Sequence, residues 1–367
     1  MPYKVEELSV NWVASDSDLE KAVKSFGSVV GIDSEFKRTN TFYPIPALYQ
    51  VASNSKVFLI DPRSVEDWSP FVEFLEDDSK LKVFHACQED LELFSFHMSV
   101  APSNLFDTQL ANAFLSESYS LSYANLVEEI LGVTLQKNET RSDWLRRPLT
   151  EAQLEYAVED VHYLAEMYLS LKSELEGNQR LNWFLEDNAD RTVYKEIEPS
   201  EYYRIIKRAW QLDGPSLAIL KDLGEWRELK AREENVPRRR VVWDEHLIEF
   251  AKKERLTEDE VRQTLPPLIF EQFGKEIIET HRSKDGKSPP PAVARPLSAS
   301  QNGLVKKLKE IAQKKAKDLG FSVELLGRKK DLEECVRNFE ETRELSVHYL
   351  GWRESLVGPE FLRLLDH

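Results

Sequence analysis

Asp33 and Glu35 stand two residues apart, after the apolar run Val29-Val30-Gly31-Ile32 and before Phe36. Such a run predicts a buried strand. Strand side chains alternate faces, so the two carboxylates share one. Side by side where a core should be, they are costly unless a cation neutralises them. An edge strand with one wet face would tolerate the same pair, and the segment alone leaves both readings open. Asp90 opens a predicted helix after the strand-like Leu81–His85. That is the carboxyl edge of a sheet, where α/β proteins place ligands; an acid that merely complements the helix dipole would also sit there. Tyr156 and Asp160 lie four apart, at the edge of a helical stripe of Leu154, Ala157, Val158, Val161, Ala165 and Tyr168. They stack on one face, which could equally be a solvated one.

Together the four acids have one simple chemical use. Hard divalent cations take several oxygen ligands, and Mg²⁺ keeps waters for a substrate to displace. Two such ions, about 3.5–4 Å apart, can clamp the attacking and leaving oxygens of an in-line phosphoryl displacement. His85, His97 and His162 lack the spacing of a zinc site. No phosphate-binding Gly-rich loop and no Gly-x-Ser-x-Gly elbow is present.

The elements that must position these residues follow from the pattern. A short helix, Ser17 to Ser25, leads into the Asp33 strand. The runs Ala47–Ala52 and Lys56–Ile60, joined by Ser53-Asn54-Ser55, extend it into an antiparallel meander. Ser69-Pro70 begins an amphipathic helix. Helical patterns then run over about 88–98, 107–116, 121–131 and 150–173. Strands first, then strand and helices in alternation, predict a mixed sheet covered by helices. After about residue 195 only helical blocks follow, 201–282 and 300–367, separated by a Pro-rich linker at 283–299 with Pro289-Pro290-Pro291. Each block holds a Trp-Arg-Glu segment, at 226–228 and 352–354, an echo too short to establish a repeat.

Length, charge and cysteine usage bound the class. A chain of 367 residues is too long for one typical domain. At a net charge of -16 it is no general polyanion binder. Nucleic-acid contact must therefore come from local basic patches or metal bridging. Two distant cysteines, Cys87 and Cys335, exclude a disulfide framework and fit a reducing compartment. The N-terminus lacks a signal-peptide layout and no run reaches the roughly 20 apolar residues of a membrane span. A cytoplasmic protein is expected.

Asp33-Ser34-Glu35-Phe36, His85-Ala86-x-x-Glu89-Asp90-Leu91-Glu92, Phe106-Asp107-Thr108-Gln109 and Tyr156-x-x-x-Asp160 resemble the exonuclease motifs of the DEDD superfamily, tyrosine subclass. Arg38-Thr39-x-Thr41-Phe42-Tyr43-Pro44 and Ser142–Thr150 are similar to linking stretches of the bacterial ribonuclease D family. The block around Trp226–Glu233 and Val236-Pro237-Arg238 resembles an HRDC domain, and the block ending in Gly351-Trp352-Arg353-Glu354 resembles a second one.

The resemblance implies a ribonuclease H-like exonuclease domain over 1–195, an α/β mixed sheet flanked by helices, followed by two all-α HRDC-like domains at 201–282 and 300–367. It implies a 3′→5′ exoribonuclease trimming structured RNA, chiefly tRNA precursors. Asp33, Glu35, Asp90 and Asp160 would hold two divalent ions, Mg²⁺ or Mn²⁺, and Tyr156 would orient the attacking water. Ser34 replaces the more usual threonine; its side chain is expected to point away from the metals, without loss. Phe42 and Tyr43 are candidates for a base-stacking platform. Gln50 and His85 could touch sugar or base edges, or satisfy the sheet. Lys137, Arg141, Arg146 and Arg147 form a basic cluster expected to meet a phosphate at one position at least. Arg238-Arg239-Arg240, and residues 301–330 with nine Lys/Arg against three Asp/Glu, are candidate RNA-contacting runs. No protein partner is implied, and a monomer is expected. The rivals are a DNA exonuclease with the same acids and an RNA-binding adaptor that has lost catalysis. The complete acid-plus-tyrosine set weighs against the adaptor, and the HRDC-like blocks favour RNA over DNA.

Overall fold

The structure is a computed structural model describing residues 9–135, 139, 142–283 and 289–366. The chain begins β1 (Ser9–Val13), α1 (Asp16–Lys24), β2 (Val29–Lys37), β3 (Ile45–Ser53), β4 (Lys56–Ile60), α2 (Ser69–Glu76), β5 (Leu81–Phe84), α3 (Gln88–Met98), β6 (Leu105–Asp107). Helices α4 (Thr108–Ala113), α5 (Tyr123–Leu131), α6 (Glu151–His162), α7 (Leu164–Gly177) and α8 (Leu181–Arg191) complete this part. The six strands form one mixed sheet in the order β1-β4-β3-β2-β5-β6. β3 and β4 pair antiparallel, whereas β1–β4, β2–β5 and β5–β6 are parallel.

Strand alternation sorts side chains into two cores. Val30, Ile32, Tyr49 and Val51 pack on one face with Leu19, Phe71 and Phe94 of α1, α2 and α3. Leu48 and Ala52 lie on the other, with Ala157, Val161, Leu164 and Met167 of α6 and α7. β2 thus turns Gly31, Asp33 and Glu35 toward α6 and α7.

Three features differ from the pattern-based expectation. Residues 105–107 form the sixth strand, where only a helix from 107 is predicted. The predicted helix 150–173 is two helices, broken at Tyr163. And α8 follows, over a stretch with no predicted element.

Beyond residue 195 come α9 (Gly214–Glu233), α10 (Arg238–Val241), α11 (Asp244–Ala251), α12 (Glu258–Thr264) and α13 (Pro267–Arg282). With residues 38–45 and the stretch to Pro296 they form the second compact unit, around Leu220, Leu223, Phe250 and Ile277. Phe42 and Tyr43 belong to this unit; their backbone amides donate to Asn235 Oδ1 at 3.1 and 3.0 Å. Part of the Pro-rich linker, 284–288, lies outside the described residues.

The last block holds α14 (Ala299–Leu319), α15 (Glu324–Gly327), α16 (Lys329–Thr342) and α17 (Trp352–Leu365). It is helical, as expected, but it is not a third compact unit: residues 297–367 close on the sheet-bearing part. Trp352 stacks on Trp183 at 5.1 Å and meets Phe114 at 5.4 Å. Its indole Nε1 donates to Asp187 Oδ1 at 3.0 Å, and Arg353 grips the same carboxylate in a buried two-pronged pair. Among the described residues, no helix is long and apolar enough to cross a membrane.

Candidate active site

Gly31 explains how α6 reaches β2. A Cβ there would lie 2.8 Å from Leu164 Cβ and 3.0 Å from the Val161 carbonyl. The bare backbone lets the α6–α7 junction sit directly on the strand. Asp160, next to Val161, is thereby laid against Asp33 and Glu35. A capping box fixes the start of α6: Thr150 accepts from the Gln153 amide, and Gln153 reaches back to the Thr150 amide.

Carboxylate oxygens of Asp33, Glu35 and Asp160 all lie within 4.8 Å of one another. Desolvation, reinforced by the neighbouring acids, pushes Asp33 well above the carboxylate range and Glu35 up to about 10. Desolvation also raises Asp160 to about 7, opposed by a hydrogen bond from Tyr156. The i, i+4 pair on α6 is thus bonded directly. Trp144, buried, packs on the Tyr156 ring at 5.8 Å. The donor set is all hard oxygen and crowded, and it fits a divalent cation.

Asp90 enters from the first turn of α3, outside that triplet. Burial raises its pKa, and the nearby Asp33 charge adds to the effect. Its Oδ1 accepts a hydrogen bond from Ser34. Ser34 therefore has a partner that the sequence reading did not foresee. Its side chain does turn off the Asp33 face, but Asp90 meets it there.

Asp107, quoted within a motif but given no role from the sequence, is a positioning residue. It caps α4 and also accepts from the Ala86 and Cys87 amides at 3.0 and 3.3 Å. Ala86 takes a left-handed φ of 61° in the turn that delivers α3. The place of Asp107 just before an apolar helical run is the usual cap signal; its second task is invisible locally.

Several other expected substrate contacts are already engaged. Arg147 binds Asp61 with Nε and Nη2 at 2.7 and 2.9 Å and the Ala47 carbonyl at 2.6 Å. It is a strand-end staple, not a free phosphate ligand. His85 pairs with Thr108 Oγ1 at 2.9 Å and the Leu121 carbonyl at 3.0 Å, and burial lowers its pKa. Both ring nitrogens thus serve the sheet edge, and none is left for sugar or base. Gln50 is fully buried with neither amide atom hydrogen-bonded. Phe42 lies under the Arg238 and Arg232 guanidiniums in the second unit. Arg238 itself is paired with Glu228, a fully buried carboxylate. Arg146, Arg239 and Arg240 are exposed. Lys137 and Arg141 lie outside the described residues.

A mixed sheet carrying clustered carboxylates along one strand and near helix ends, with a tyrosine hydrogen-bonded to one of them, fits a metal-dependent phosphodiester hydrolase. Residues 10–176 match the family model described as "3'-5' exonuclease", and residues 216–280 match the HRDC domain model. Ribonuclease D of Pseudomonas paraeruginosa is 38% identical over 97% of this chain and 98% of its own. Ribonuclease D of Escherichia coli is 40% identical over 64% of this chain and 63% of its own. The crystal structure of Escherichia coli RNase D, described as an exoribonuclease involved in structured RNA processing, superposes with a TM-score of 0.89. That match is 31% identical and covers 98% of this chain and 99% of that one. The chain belongs to the ribonuclease D family and is a 3′→5′ exoribonuclease.

Proposed function

We propose that this exoribonuclease trims the 3′ ends of structured RNA, chiefly tRNA precursors, by hydrolysis that releases nucleoside 5′-monophosphates. The observation that carries the site is the convergence of Asp33, Glu35 and Asp160 on one spot, with Asp90 beside Asp33. These four hold two divalent ions, Mg²⁺ or Mn²⁺. Bound divalent ions supply water activated at neutral pH and charge neutralisation at the departing 3′ oxygen.

Tyr156 orients that water. A phenol is a poor base at neutral pH, whereas the hydrogen bond of Tyr156 to Asp160 already fixes its hydroxyl. Ser34 and Asp107 set Asp90 in place. The RNA body, in this reading, lies on basic surfaces. On α14, Val305, Leu308, Ala312 and Ala316 face the core, leaving Lys306, Lys307, Lys309, Lys314 and Lys317 exposed. Arg146, Arg239 and Arg240 add to the supply. The protein works as a monomer.

The deciding assay follows mononucleotide release from an RNA labelled along its 3′ end, with Mg²⁺, with Mn²⁺ and with a chelator, beside a matched single-stranded DNA. Metal-dependent release of nucleoside 5′-monophosphates from RNA is expected. Release that survives chelation would remove the metal mechanism. Preference for DNA would transfer the substrate class.

A further inference from the structure

The second unit contains a cavity of 380 Å³ to which Lys207, Arg227, Arg239 and Trp243 all contribute. Trp243 is 55% exposed, an unusual position for a large ring that the helical core does not need. The Arg239 guanidinium lies 5.9 Å from its centroid. Lys207 and Arg239 are both exposed, and neither has a carboxylate partner among the described residues. Arg227 is only 4% exposed; its Nη1 donates to the Val242 carbonyl at 3.2 Å and to Asp244 Oδ1 at 2.6 Å, while its Nε has no partner. A buried donor left unmade is costly, and a cavity beside it offers room for an acceptor. Two carboxylates also line the cavity. Asp244 is held by Arg227, which leaves Glu245 as the acid facing the unpaired Lys207 and Arg239.

We infer that this cavity binds one unpaired nucleotide of the RNA substrate, with the base stacked on Trp243 and its phosphate between Lys207 and Arg239. The choice of RNA rests on the exoribonuclease reading; the site itself rests on the residues above. Every base has a π face, so an exposed indole flanked by guanidinium and ammonium groups takes single-stranded nucleic acid with little regard to sequence. Of the basic run at 238–240, Arg238 and Arg239 both line the cavity, but Arg238 is spent on Glu228 and Tyr202, so Arg239 is the one placed to meet a phosphate.

The test is equilibrium binding of a fluorescent single-stranded RNA to the full-length chain in chelator, which prevents cleavage, over a salt series. Trp243→Ala should weaken binding about tenfold, within the range for loss of one stacked base, and Trp243→Phe should largely restore it. Lys207→Ala and Arg239→Ala should each flatten the log–log salt dependence by about one unit. Unchanged thermal melts will exclude unfolding of the variants. If Trp243→Ala binds RNA as the parent does, the inference falls, whatever else that face then proves to hold. Mononucleotide release by the parent chain with Mg²⁺ tests the exoribonuclease reading separately. Its failure beside a weakened Trp243→Ala would remove that reading and keep the site.

Discussion

The sheet-bearing unit buries charge in two ways. At Asp33, Glu35, Asp90 and Asp160 it buries acids together with no cationic side chain paired to them among the described residues, and desolvation raises every one of these pKa values. At Asp187 it supplies its own cation, Arg353, and adds the Trp352 indole to the same carboxylate. The physical cost is of the same kind in both places. The difference is who neutralises it. An acid cluster left open accepts a partner from solution, and one closed by arginine serves architecture.

Breaking one member of each cluster should separate these roles. Asp160→Asn should cut turnover by orders of magnitude, while the melting temperature of the metal-free protein holds or rises because one crowded charge is gone. Near-full activity in this variant would place the chemistry elsewhere. Asp187→Asn should do the reverse. It leaves Arg353 buried without its counter-charge, which costs about 3–5 kcal/mol, read as a lowered denaturation midpoint.

The open cluster also makes a signed prediction about pH. Carboxyls with raised folded-state pKa values bind more protons folded than unfolded. Metal-free stability should therefore fall as pH rises from the unfolded values near 4, through about 7 for Asp160, toward about 10 for Glu35. Added Mn²⁺ should restore more stability at pH 8 than at pH 5; thermal melts with chelator or metal at the two pH values measure this. A flat metal-free profile would deny that the acids are crowded. The smallest effect belongs to Ser34→Ala, about a tenfold loss of metal affinity by titration calorimetry, with Ser34→Thr close to the parent.

Much of the fold was legible because its signals are local. The Val29–Phe36 run, the Ser53-Asn54-Ser55 turn and the stripe on α6 announce their own structures. The acids could be assembled because each lies within or at the end of such an element. What escaped depends on partners distant in sequence. Arg147 reads as a spare cation until Asp61 is seen beneath it, and His85 until Leu121 arrives. Phe42 and Tyr43 sit close to Glu35 in sequence, yet their amides are answered by Asn235. The three-residue β6 is too short to show a period. The two Trp-Arg-Glu echoes look alike and serve differently: Glu228 is wholly buried under two arginines, whereas Glu354 is exposed.

The union of residues 297–367 with the sheet bears on how the molecule is made. A ribosome releases the catalytic strands long before Trp352 and Phe361, which belong to the same core as Phe114 and Phe184. The nascent chain must therefore hold an unfinished apolar surface while more than a hundred further residues are synthesised. Contacts so far apart are slow to form and leave that surface open to aggregation. Synthesis with staged release should show protease resistance of the sheet arriving only with the final helix, as though the enzyme were locked shut from its tail.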